Sequence, residues 1–144
     1  MVSLRLTDEY GEGPWSGHVT DKGVLFNMRR ASVYVLRKRG RLVASLTLGT
    51  RKPWAIDVRY FTACARPLYL TGMAVHPDWQ RKGIGRQCLA EALRIAKLWP
   101  ADAIRLDAFD ASAGAGEFYA KCGYREVGRA TYREAPLIYF EALL

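Results

Sequence analysis

Residues 32–49, SVYVLRKRGRLVASLTLG, alternate apolar and polar positions on both sides of RKRG, which predicts a β-hairpin turning at that tetrapeptide. Val33, Val35, Leu42, Ala44 and Leu46 are expected to share one face. The next strand is expected at PLYLTGMAV, residues 67–75, closed by His76-Pro77-Asp78. Proline removes a ladder donor and biases the residue before it toward extended backbone. From Gly83 onward Ile84, Cys88, Leu89, Ala92, Leu93 and Ala96 recur at helical spacing, with Arg86, Gln87, Glu91, Arg94 and Lys97 on the opposite face. This amphipathic helix should stop at Trp99, before Pro100. AIRLDAF, residues 103–109, reads as a strand. A short helix over 114–121 follows, ended by Gly123 in a left-handed cap, and strands near 124–127 and 137–143 complete the chain. The first thirty residues are less patterned, with a short strand at 3–6 and a weak helix around 19–30.

This order of elements implies a mixed α/β (α+β) architecture, a sheet with helices packed against it. The strand, helix, strand unit from 68 to 109 should form a right-handed parallel crossover. A chain of 144 residues, half apolar and a quarter charged, fits one domain spanning 1–144. The start, MVSLRLTDEYGEG, lacks the apolar core of a signal peptide, and no run approaches the roughly 20 apolar residues of a membrane helix, so a cytoplasmic location is expected. Three scattered cysteines (Cys64, Cys88, Cys122) and two histidines (His18, His76) have no zinc-binding spacing, which points to reduced thiols and no metal. The formal net charge of +8 favours an anionic partner or a solvated basic face.

The stretch VHPDWQRKGIGRQCLAEAL, residues 75–93, puts two glycines and several cations at the hand-over from strand to helix. Backbone N–H groups in the first turn of a helix have no internal partners, and with the helix dipole they form an anion site. Gln80, Arg81, Lys82 and Arg86 surround this turn, which suits a pyrophosphate. A Walker loop would need GxxxxGK followed by Ser or Thr, and none is present. The dinucleotide fingerprint GxGxxG finds Gly83 and Gly85, has Cys88 at its third glycine, and has Asp107 about where its ribose-binding acid would stand. A glycine turn that only tightens the corner is the structural alternative.

QRKGIG, residues 80–85, matches at every fixed position the motif Q or R, x, x, G, x, G or A of the GNAT superfamily of N-acetyltransferases. AGEFYAKCGY, residues 115–124, is similar to a second signature of that family at a fitting distance. The chain resembles the family from the hairpin to the last strand. The resemblance implies a twisted, mostly antiparallel sheet with splayed central parallel strands and flanking helices. Between the splayed strands, here 68–75 and 103–109, the pantetheine arm of acetyl-CoA would lie. It further implies pantetheine contacts from the main chain of Met73 and Val75, and pyrophosphate contacts from Gln80, Arg81, Lys82, Gly83, Ile84, Gly85 and Arg86. Where the family often has an asparagine on the cofactor, seven residues before the tyrosine, this chain has Ser112.

Acetyl transfer to an amine needs a neutral nucleophile, an oxyanion donor and a proton for the leaving thiolate. By the resemblance Tyr119 supplies the proton, and a backbone N–H near Met73 or Ala74 meets the oxyanion. The alternative role of Tyr119 is to pack its helix on the sheet. No general base is evident: Asp57, Glu12 and Asp110 all read as solvated acids. Cys122 has no histidine in sequence range to activate it, Cys88 reads as core, and His76 as a loop residue. The expected function is an acetyl-CoA-dependent N-acetyltransferase acting by direct transfer in a ternary complex. Its acceptor is an amine on a small molecule or on a protein N-terminus or lysine. The alternatives are a basic nucleic-acid-binding module and a family member that binds CoA without catalysis; a homodimer is left open. Residues 50–66, with Trp54, Tyr60 and Phe61, and also Trp15, line the acceptor pocket or belong to the core.

Overall fold

The computed structural model describes residues 31–111 and 115–144. The expected strand at 3–6, the helix at 19–30, Glu12, Trp15 and Ser112 lie outside the described residues. The elements are β1 (Ser32–Lys38), β2 (Arg41–Gly49), β3 (Pro67–Val75), α1 (Ile84–Leu98), β4 (Ala103–Phe109), α2 (Gly116–Lys121), β5 (Arg125–Tyr132) and β6 (Ala135–Leu143). The strands form one sheet in the order β1-β2-β3-β4-β6-β5, antiparallel everywhere except between β3 and β4.

β1 and β2 turn through Arg39 (φ 52°) and Gly40 (φ 76°), the double positive φ that matches strand twist in a two-residue hairpin. The expected face is wrong in β1 and at the start of β2. Tyr34 and Leu36 pack inward, whereas Val33, Val35 and Leu42 are exposed. Leu36 pairs with Ala44 and Arg37 with Leu42, so Val43 is an extra residue in β2. That bulge buries Val43 and Ala44 in succession and breaks the alternation.

α1 begins and ends where its periodicity places it, with Gly83 as N-cap and Trp99 as C-cap. Ile84, Cys88, Leu89, Ala92, Ile95 and Ala96 face the sheet, and Leu93 is only half-buried. They meet Leu46, Leu48, Leu68, Leu70, Ile104 and Leu106, and Tyr119 of α2 joins the same core with Tyr124 and Phe140. Each fully buried leucine-sized side chain there is worth about 1.5–3 kcal/mol. The opposite face carries a second cluster of Ile56, Phe61, Tyr69, Leu137 and Tyr139, closed by residues 53–61. Alternation along β6 sends Ile138 and Phe140 to the first core and Leu137, Tyr139 and Glu141 to the second side.

Candidate functional site

The site is built around the one parallel junction. β3 and β4 pair only through Pro67–Ala103, Leu68–Ile104 and Tyr69–Arg105. Beyond Tyr69 and Arg105 the two strands continue, to Val75 and Phe109, without registered partners across the gap. A fork therefore opens toward their C-terminal ends. On its other edge β3 bulges: Thr71 pairs with Thr47 and Ala74 with Ser45, so that Gly72 and Met73 both oppose Leu46. Gly72 has φ 58°, a conformation glycine takes without strain, and it turns Met73 out of the ladder. A glycine inside an otherwise regular strand pattern was the available signal for this bulge.

At the open end His76 accepts from Asp78 N–H through Nδ1 (3.1 Å) and caps a turn over Pro77–Trp79, a structural role. Gln80 Nε2 donates to the Val75 carbonyl (3.0 Å), tying the loop to the strand end. Arg81 (φ 60°) and Gly83 (φ 79°) then fold the chain into the start of α1, where no side chain caps the helix. The N–H groups of Ile84, Gly85 and Arg86 thus lack intrahelical partners. Arg81, Lys82 and Arg86 are exposed and form no ion pair among the described residues; Lys82 Nζ lies 5.4 Å from the Trp79 ring centre.

The two glycines of the turn differ. A Cβ on Gly83 would meet nothing within 4 Å. One on Gly85 would stand 2.9 Å from Phe118 Cζ and 3.7 Å from Met73 Cε. The small size of Gly85 therefore has a packing reason of its own beside its place in the turn. At Gly85 the ring of Phe118 lies against α1 where a Cβ would be, and at Gly83 the space is open.

Tyr119 is 7% exposed, and its hydroxyl lies 3.9 Å from Met73 Sδ. Burial pushes its pKa up to about 12, with help from nearby Asp107 and Cys122. The phenol is a proton donor throughout the physiological range. Its ring also packs on Phe118, Tyr124 and Phe140 (centroids 5.4, 6.0 and 5.9 Å), so the packing role and the placement at the fork coexist.

The sequence offers Asp107 only as a possible ribose ligand. It stands on β4 past the last parallel pair, on the face that also carries Tyr139, its cross-strand partner. Burial raises its pKa above the ordinary carboxylate value, and no lysine or arginine among the described residues pairs with it. The acids weighed from sequence are committed elsewhere: Asp57 to Arg59 (2.7 Å) and Asp110 to Arg129 (3.2 Å). Cys88 is core and Cys122 is half-buried. No three His, Cys, Asp or Glu side chains converge as a metal site among the described residues, and no helix there is long and apolar enough to cross a membrane.

Among the described residues the site is thus a mostly antiparallel sheet forked at one parallel junction, with an uncapped helix start and a buried tyrosine at the fork. The sequence matches the acetyltransferase (GNAT) family over residues 4–124, and the chain belongs to that family. Its fold is similar to that of a ribosomal-protein-alanine N-acetyltransferase from Brucella melitensis, with a TM-score of 0.71 and 18% identity over 99% of this chain and 94% of that one. A GNAT family acetyltransferase from Elizabethkingia anophelis, solved with acetyl-CoA bound, gives a TM-score of 0.66 and 16% identity over 87% and 84% of the two chains. The aminoglycoside 6′-acetyltransferase type Ii gives 0.70 and 17% over 99% and 84%. No curated protein matches the sequence.

Proposed function

We propose that the chain is an acetyl-CoA-dependent N-acetyltransferase that moves acetyl directly to a primary amine in a ternary complex. The observation that carries this reading is the fork between β3 and β4, with the uncapped α1 start at its mouth and the Tyr119 hydroxyl at its side. The solved relative from Elizabethkingia anophelis, crystallised with acetyl-CoA, supports it.

The residues fit such a substrate. The main chain of Met73 and Val75, on the strand that the Gly72 bulge frees, would bond the pantetheine amides. Gln80 ties the loop to Val75, and the N–H groups between Arg81 and Arg86 would hold the pyrophosphate through the helix dipole, with the side chains of Arg81, Lys82 and Arg86 adding charge. Ser112 would add a side-chain contact. Acetyl-CoA supplies the thioester.

The chain's own groups then manage the protons. Asp107, raised by burial and free of a cationic partner among the described residues, takes a proton from the incoming ammonium. The neutral nitrogen forms a bond to the thioester carbon, and the oxyanion meets a backbone N–H near Met73 or Ala74. When the carbon–sulfur bond breaks, Tyr119 gives its proton to the leaving sulfur, and the second proton that the nitrogen loses as the amide forms restores the phenol. A hydroxyl and a carboxylate on opposite sides of one fork thus have separated pKa values and separate roles.

Calorimetric titration with acetyl-CoA, with NAD and a short oligonucleotide as controls at two salt concentrations, tests the reading. Micromolar binding of acetyl-CoA alone is expected. Binding of the oligonucleotide alone, collapsing in salt, would overturn it in favour of a nucleic-acid module.

A further inference from the structure

The face of the sheet away from α1 holds a cavity over β5 and β6. Residues 52–62 cross this face as a strap held at several points. Tyr139 Oη donates to the Ala55 carbonyl (2.5 Å) and accepts from Asp57 N–H (3.3 Å). Thr62 donates to Glu141 through N–H (3.1 Å) and Oγ1 (2.6 Å). The Tyr60 ring lies directly on Gly128, where a Cβ would come within 2.2 Å of it. Between the strap and β5 lies a cleft of about 580 Å³, lined by Trp54, Asp57, Tyr60, Thr131, Tyr132 and Tyr139 among others. That volume falls within the usual range for small organic ligands.

Both charged groups that line the cleft are bonded within the strap itself. Asp57 accepts from Arg59 through its backbone N–H (3.0 Å), Nε (3.0 and 3.2 Å) and Nη2 (2.7 Å). Lys52 Nζ donates to the carbonyls of Pro53 (2.9 Å) and Ile56 (2.8 Å). The paired Asp57 leaves no uncompensated carboxylate for a second ammonium, and the charge of Lys52, bonded only to neutral carbonyls, repels one. What remains open is aromatic surface: Trp54 is 88% exposed and Tyr60 42%. Tyr139 lines the cleft and is also the direct cross-strand partner of Asp107, so the cleft begins one strand from the carboxylate that would deprotonate the acceptor.

We propose that this cleft is the acceptor pocket and that it takes primary amines bearing an aromatic or flat apolar group a short linker away from the nitrogen. The proposal rests on the acetyltransferase reading and names its substrate class. Polycationic acceptors lack the free carboxylates here that a second or third ammonium would need, whereas ring stacking on Trp54 and Tyr60 favours a flat group.

The test is calorimetric titration of the full chain with phenethylamine, propylamine and spermidine, beside steady-state release of CoA thiol with the same three amines. Phenethylamine is expected to bind, and to be acetylated with a kcat/KM about tenfold above that of propylamine, with spermidine no better than propylamine. Trp54→Ala, at an exposed position that leaves the cores intact, is expected to abolish that preference, and Trp54→Phe to retain it. Equal binding of phenethylamine and propylamine, preference for spermidine, or a preference that survives Trp54→Ala would each overturn the pocket. Trp54-dependent binding without turnover would support the pocket and contradict acetyl transfer, so the two readings fail separately.

Discussion

The Tyr119 hydroxyl stands 3.9 Å from the Met73 sulfur, joining α2 to the strand that the Gly72 bulge releases at the fork. Thioether sulfur is a weak acceptor, so this contact holds the phenol in place without consuming its proton. Tyr119→Phe is expected to keep the fold and the acetyl-CoA affinity while lowering kcat by about 10²–10⁴. Because burial lifts Tyr119 to about 12, the wild-type pH–rate profile should show no descending limb from this group in the neutral and mildly alkaline range. Steady-state kinetics with calorimetry on the variant checks both points.

Asp107 is expected to set the ascending limb of kcat/KM. Its pKa is raised by burial, so the limb lies above the ordinary carboxylate range, and Asp107→Asn should remove it along with most of the rate. The same burial makes the charged form unfavourable to the fold. A carboxyl whose folded pKa is raised contributes stability below its unfolded pKa and loses it as pH rises through the folded value. Asp107→Asn should therefore raise the Tm near neutral pH and give no advantage in acid, which thermal melts across pH can measure.

Gly85→Ala puts a methyl 2.9 Å from Phe118 Cζ and is expected to cost about 1–3 kcal/mol by overpacking. Phe118→Leu in the same chain should recover part of that loss, a coupling that a double-mutant cycle measures. Gly83→Ala meets no atom within 4 Å but stands at φ 79°, so its loss is expected from backbone conformation alone, with no rescue by Phe118→Leu.

Glu141 is 1% exposed and holds the strap through Thr62 and, at 2.5 Å, Arg125. Burial pushes its carboxyl up, and the bonds from Thr62 and Arg125 outweigh that, leaving it below the usual value. Its stabilising effect is therefore present above the unfolded carboxylate pKa and lost as pH falls through the folded one. Glu141→Gln should destabilise by about 1–3 kcal/mol near neutral pH and by less in acid, as denaturant melts at two pH values will register.

Residue order made much of this legible. The limits of β3, α1 and β4 follow from apolar periodicity, Pro77 and the glycine start, because these signals are local. What failed depended on pairing. The bulge at Val43 reversed the expected face of Val33, Val35 and Leu42, and the Gly72 bulge is defined only by the register of β2 against β3. The packing reason for Gly85 lies in Phe118, 33 positions away in sequence. The raised pKa of Asp107 comes from burial, and the ion pairs of Asp57 with Arg59 and of Asp110 with Arg129 from the fold, none of which composition reveals.

The most direct test is amide chemical-shift mapping by NMR as acetyl-CoA is titrated into the full chain. Saturable shifts concentrated at residues 73–75, 81–86 and 119 are the expected result. Saturable binding that leaves those amides unmoved, or no saturable binding at all, would contradict a substrate held in the fork between β3 and β4.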